Sequence, residues 1–124
     1  MTAHIFNEHL DPNYPATLSE ATITGILRDE LGWDGVVITD DMGMGAITQN
    51  YGFETATELS VKAGADILAY AINSSVFDPT IPARAVRVVR GMVERRDIPE
   101  SRIDQSYQRI MQLKARLGQE CGSR

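Results

Sequence analysis

Apolar positions along the chain follow two different spacings, and the switch between them sets the element order. Ile23, Ile26 and Leu27 recur at i, i+3 and i+4, one helical stripe. Ser19 stands just ahead of it as an N-cap, and Gly32 just after it as a stop. Phe53 to Ala63 repeats the pattern with Ala56, Leu59 and Ala63 on one side, and Gly64 punctuates it. Ala83 to Arg95 carries Val86, Val89 and Val93 at helical spacing. "DIPES" interrupts the pattern, and a last helix starts near Glu100. Its expected stripe is Ile103, Tyr107, Ile110, Leu113, Ala115 and Leu117, and Gly118 with a polar tail ends it.

Between these helices lie shorter runs of another kind. "GVVIT", Gly35 to Thr39, is β-branched and apolar without alternation, which suits a parallel strand covered on both faces. "ADILAYAI" from Ala65 reads the same way, and "TAHIF", Thr2 to Phe6, reads as the tail of a strand. "LDPNYPATL" and "NSSVFDPTIP" are proline-rich and read as loops. The predicted order is strand, helix, strand, helix, strand, helix, helix. Strands separated by helices are parallel and joined by right-handed crossovers, so the predicted class is α/β. Three parallel strands leave two unpaired edges. The expectation is therefore a part of a larger sheet that begins mid-fold, or a chain whose edges pair with another copy.

Composition narrows the function classes. The 124 residues are 43% hydrophobic and 23% charged, with a net charge of −5, which suits a globular domain and argues against nucleic-acid or anionic-membrane partners. No stretch approaches the roughly 18 apolar residues of a membrane helix. The first residues lack the charged-then-apolar pattern of a signal peptide. Cys121 is the only cysteine and sits in the polar tail, so neither a disulfide framework nor a zinc cluster is available within the chain.

In parallel α/β folds, chemistry collects at the carboxyl ends of the strands. Here that rim holds His4, the run Asp40-Asp41-Met42-Gly43-Met44, and Asn73-Ser74-Ser75. An aspartate there has three uses. It attacks a sugar carbon as a nucleophile, holds Mg²⁺ in a phosphoryl-transfer site, or accepts backbone amides as a structural cap. A lone His at a strand end serves as a hydrogen-bonded scaffold or as a catalyst. Met42 and Met44 pack, or line a sugar pocket. Trp33 precedes its strand, at the wrong end for the site, and reads as core or helix-facing packing.

Four stretches, "MTAHIFNEHLDPNYPATLS", "ILRDELGWDGVVITDDMGMGAI", "AGADILAY" and "IDQSYQRIMQLKARLG", resemble successive segments of glycoside hydrolase family 3. The central one resembles the family signature around the nucleophile, here Gly32-Trp33-Asp34-Gly35-Val36-Val37-Ile38-Thr39-Asp40. The resemblance implies that residues 1–118 are the C-terminal segment of a (β/α)₈ barrel, its last three strand–helix units plus a trailing helix, with 119–124 a polar tail. It implies that Asp40 is the nucleophile and that Met44, and less directly His4, contact the substrate.

The residues after Asp40 resemble the β-N-acetylhexosaminidase branch more than the β-glucosidases, which usually carry Trp there. The implied reaction is retaining hydrolysis of a terminal β-linked N-acetylhexosamine, without metal or cofactor. The family's acid/base His-Asp loop and its Lys-His motif have no match in this chain, since His4 and His9 stand in other segments. The chain alone is therefore expected to be nearly inactive and to need the rest of a barrel or self-association. A non-catalytic self-associating remnant and a β-glucosidase are the alternatives. The compartment is left open between bacterial cytoplasm and secretion.

Overall fold

The computed structural model describes residues 1–71 and 78–120, with side chains as far as Arg116. Four α-helices lie in it: α1 (Gly45–Thr48), α2 (Phe53–Ala63), α3 (Ile81–Glu94) and α4 (Glu100–Glu120). A short 3₁₀ turn, Ala16–Leu18, and a wide helix, Ala21–Glu30, precede them. The Asn73-Ser74-Ser75 rim segment, Cys121 and the side chain of Leu117 lie outside the described residues.

Three extended segments run side by side, but they form no strand ladder among the described residues. Thr2 bridges Thr39 and Ile38 bridges Ile67, both in parallel sense. Residues 36–40 therefore lie between the other two segments. This corrects the expectation of three regular strands at "TAHIF", "VVIT" and "DILAY", and the reason is local. The Val37 amide donates to the Asp66 carboxylate at 2.9 Å, and the Ala69 amide to the Thr39 hydroxyl at 3.0 Å. Side chains thus hold both ends of the 37–39/66–69 pairing where a ladder would place carbonyls. The chain is mostly helical, with three parallel extended segments where strands were expected.

The wide helix starts where the pattern places it. Ser19 Oγ accepts from the Thr22 amide at 3.0 Å, satisfying one of the orphan donors of the first turn. Its winding differs from expectation, because it closes i→i+5 rings such as Leu31 N to Ile26 O at 2.9 Å, uncommon over such a length. The wider turn brings i and i+4 into line. Ile23 and Leu27 accordingly share one cluster with Val37 and Ala63, and Ile26 falls outside it.

α2 is the central element. Ala56 packs with Leu18, Met42 and Ile47, Ala63 joins the Ile23 cluster, and Val61 packs on Met92 of α3 and Ile98. Its helix ends at Gly64, whose φ of +117° lies in the left-handed region. A Cβ there would sit 2.9 Å from Thr24 Oγ1 and 3.0 Å from Ile23 Cγ2, so both the conformation and the space require glycine.

Two packing expectations change. Trp33 is 50% exposed, its ring lying over Gly35, where a Cβ would meet it at 2.4 Å. The inward face of α4 is also rotated from its apolar stripe, since Tyr107 is 63% exposed and Leu113 is exposed as well. The residues turned inward are Arg102, Ile103, Ser106, Arg109 and Ile110. Arginine wins those places because a buried carboxylate, Asp66, lies beneath them. α4 continues through Gly118 to Glu120, past the expected stop.

Candidate active site

The carboxyl ends of the three segments converge around Asp41. The Asp40 amide donates to Thr2 O at 2.9 Å and the Met42 amide to Ala69 O at 2.9 Å. These bonds set residues 40–42 between the neighbouring segments. Asp41 itself is 6% exposed. Its Oδ1 accepts from the Gly43 amide and from the Ala71 amide, both at 2.8 Å. A Cβ on Gly43 would lie 3.0 Å from that same oxygen, so the turn closes this tightly only with glycine.

His4 enters from the first segment. Its Nε2 lies 2.9 Å from the Asp41 carbonyl and its Nδ1 lies 3.0 Å from Thr17 Oγ1. A carbonyl only accepts, so Nε2 carries the hydrogen. With both ring nitrogens turned into the protein, His4 joins the first segment to the Asp41 turn and to the loop before the wide helix. That loop is held from within by Asp11, whose Oδ1 accepts from the Asn13 and Tyr14 amides at 2.8 and 3.1 Å. The Ser19 hydroxyl is the main cause holding the Asp11 carboxyl below its ordinary value; partial burial opposes it and the two amides assist.

Asp40 is the half-buried acid of the pair. Its Oδ1 accepts from the Asp41 amide at 2.8 Å, and Oδ2 has no hydrogen-bond partner among the described residues. One oxygen is thus fixed and the other is available at the rim. Met44 is 43% exposed; its amide donates to the Asp41 carbonyl at 3.0 Å, and it precedes the first turn of α1. The structure therefore brings together Asp40, Asp41, Met44 and His4, while His9 stays on the exposed loop. Among the described residues no group of three or more His, Cys, Asp or Glu side chains is placed to hold a metal ion, and no helix is long and apolar enough to cross a membrane.

The opposite end holds a cluster that sequence reasoning missed. The Asp66 side chain is fully buried and is met by Arg28, Arg102 and Arg109. Burial pushes the Arg102 guanidinium below its ordinary value; Asp66 opposes this, while Arg109 and Arg28 reinforce it. A signal was present in the spacing of Arg102 and Arg109, seven residues apart on one helical face. Hollows of about 370 and 540 Å³ lie at this end, beside Trp33 and Arg109, away from the acidic pair.

Residues 1–113 match the family described as glycosyl hydrolase family 3 N terminal domain. The chain belongs to glycosyl hydrolase family 3. Within it, the chain is related to β-hexosaminidases. It is 38% identical over 68 residues to a β-hexosaminidase of Alkalilimnicola ehrlichii, covering 55% of this chain and 19% of that protein. It is 31% identical over 120 residues to the β-hexosaminidase LpqI of Mycobacterium tuberculosis, covering 92% of this chain and 29% of that one.

Among solved structures, the family 3 β-N-acetylglucosaminidase of a Paenibacillus species superposes with a TM-score of 0.81 at 34% identity. That match covers 100% of this chain and 24% of the other. The chain therefore spans a fifth to a third of the length of these relatives and matches part of the family's barrel domain.

Proposed function

We propose that this chain carries the nucleophile side of a retaining β-N-acetylhexosaminidase site, with Asp40 as the nucleophile. The observation that supports the reading is the setting of Asp40. It ends the middle extended segment, with Oδ1 held by the Asp41 amide and Oδ2 available. In the first step Oδ2 bonds to the anomeric carbon of a terminal β-linked N-acetylglucosamine. The bond from that carbon to the leaving oxygen breaks, and an acid protonates the oxygen. In the second step water, deprotonated by the same group acting as base, cleaves the ester and restores the carboxylate. That acid/base belongs to the remainder of a barrel; losing it costs about 10²–10⁴-fold. Met44 forms part of the sugar-facing wall, and His4 serves the site by holding the Asp41 carbonyl.

The test is a hybrid in which this chain replaces the corresponding segment of the Paenibacillus enzyme. It is assayed on an aryl β-N-acetylglucosaminide, with circular dichroism confirming that it folds. The folded hybrid is expected to hydrolyse the substrate and to lose turnover on Asp40→Ala. Undiminished turnover in the Asp40→Ala hybrid would sink the assignment.

A second reading, self-association of the chain, draws on the exposed Met1, Ile5, Phe6 and Leu10 at its start. These lie on or after the first segment, whose outer side is met by the Thr17 hydroxyl at Ala3 O and the Ala16 amide at Ile5 O but by no further extended segment among the described residues. Sedimentation of the chain decides it, a cooperative monomer counting against it.

A further inference from the structure

The two oxygens of the Asp66 carboxylate serve different parts of the molecule. Oδ2 accepts from Arg28 of the wide helix at 2.8 Å and from the Val37 amide at 2.9 Å. Oδ1 faces α4: the Ser106 hydroxyl donates to it at 2.6 Å, Arg109 Nη1 at 3.4 Å, and Arg102 Nη1 stands 3.6 Å away. Arg102 Nη2 also donates to Ala65 O at 2.7 Å, and Arg109 Nε to the exposed Asp34 at 3.0 Å.

Apolar burial contributes little to this docking. No residue of α4 from Glu100 to Arg116 is fully buried, whereas α2 buries five. Among the described side chains of α4, Ile103 alone joins an apolar cluster. The charge arithmetic also keeps the cost of separation low. With α4 in place, three guanidiniums share one buried carboxylate. With α4 removed, Asp66 keeps one guanidinium and one amide, and Arg102 and Arg109 return to water. Neither part is left with an unpaired buried charge, the usual reason that breaking a buried pair is costly.

We propose that α4 is a detachable arm latched through Asp66 Oδ1, which undocks by itself while the described body, residues 2–71 and 78–94, stays folded. Undocking is a sub-global opening, distinct from unfolding of the chain. It uncovers the amino-terminal ends of the extended segments and leaves their carboxyl-end rim intact.

Hydrogen exchange on the full 124-residue chain, resolved by residue, tests this. In the wild-type chain the amides of 103–116 are expected to be protected, but less so than those of α2. Arg102→Ala with Arg109→Ala leaves the Asp66–Arg28–Val37 half of the latch untouched. It is expected to lower protection across 103–116 by about tenfold to a hundredfold, because the pairs are only partly buried on the arginine side. Protection of α2 should not move. Ile103→Ala serves as the comparison and should have the smaller effect on α4. Four results overturn the proposal: wild-type α4 exchanging like free peptide, α4 and α2 losing protection together, α4 unaffected by the arginine changes, or Ile103→Ala releasing α4 more than they do.

Discussion

Replacing Asp41 by alanine removes the acceptor on which the rim turn is built. The carboxylate is buried and receives two backbone amides at 2.8 Å, from Gly43 and Ala71. A hydrogen bond to a charged group contributes about 1.5–3 kcal/mol, and a buried donor left unsatisfied loses its hydration as well. Two such donors contribute about 3–6 kcal/mol. The turn lies at the surface, so water reaches part of what is vacated and the lower figure, about 3 kcal/mol, is the expected cost. Asn in its place keeps a neutral acceptor that can bind both amides, and is expected to cost about 1 kcal/mol.

Urea unfolding of the three proteins measures the total. Exchange of the Gly43 and Ala71 amides locates it, and both should accelerate in Asp41→Ala and recover in Asp41→Asn. An alanine variant within about 0.5 kcal/mol of wild type would refute the reasoning. So would an asparagine variant as unstable as alanine, since the bonds would then not account for the loss.

Other consequences follow from single positions. Met92 is fully buried and packs with Val61 and Ile98, so Met92→Ala is expected to cost about 2–5 kcal/mol in urea unfolding. Gly64→Ala, at φ +117° and with Thr24 Oγ1 2.9 Å from the new Cβ, is expected to lower stability by at least about 1–2 kcal/mol; thermal unfolding reads it directly. The Asp11 carboxyl is held below its ordinary value of 3.8, chiefly by Ser19. A depressed carboxyl stabilises the folded chain above the unfolded value and stops doing so as pH falls through the folded one. The Asn13 and Tyr14 amides should therefore lose protection only below about pH 4, and Asp11→Asn should remove that acid dependence.

Much of the helical structure was legible because its determinants are local. The Ser19 cap, the span Phe53–Ala63 and the stop at Gly64 each depend on residues within about one helical turn. So does the expectation that an acid closes the middle segment at a rim. The strands were less legible. "VVIT" and "DILAY" carry the right residues, yet two amides that a ladder would pair with carbonyls go to Asp66 and Thr39 instead. No periodicity in the apolar residues foretells that exchange.

What the sequence determined by itself, then, is the helix order, the end of the run at Asp40 and Asp41, and the family resemblance carried by contiguous motifs. The tertiary structure decided which side chains share a neighbourhood. It separated the paired acids, turning Asp41 inward as the knot of the rim and leaving an oxygen of Asp40 available. It turned His4 toward Thr17 and the Asp41 carbonyl, and put arginines on the inward face of α4 where an apolar stripe was expected. The physical reason is the reach of the forces involved. Capping and helical spacing act over a few residues, whereas the burial of Asp66 and its partners joins groups some forty positions apart, whose meeting only the folded chain specifies.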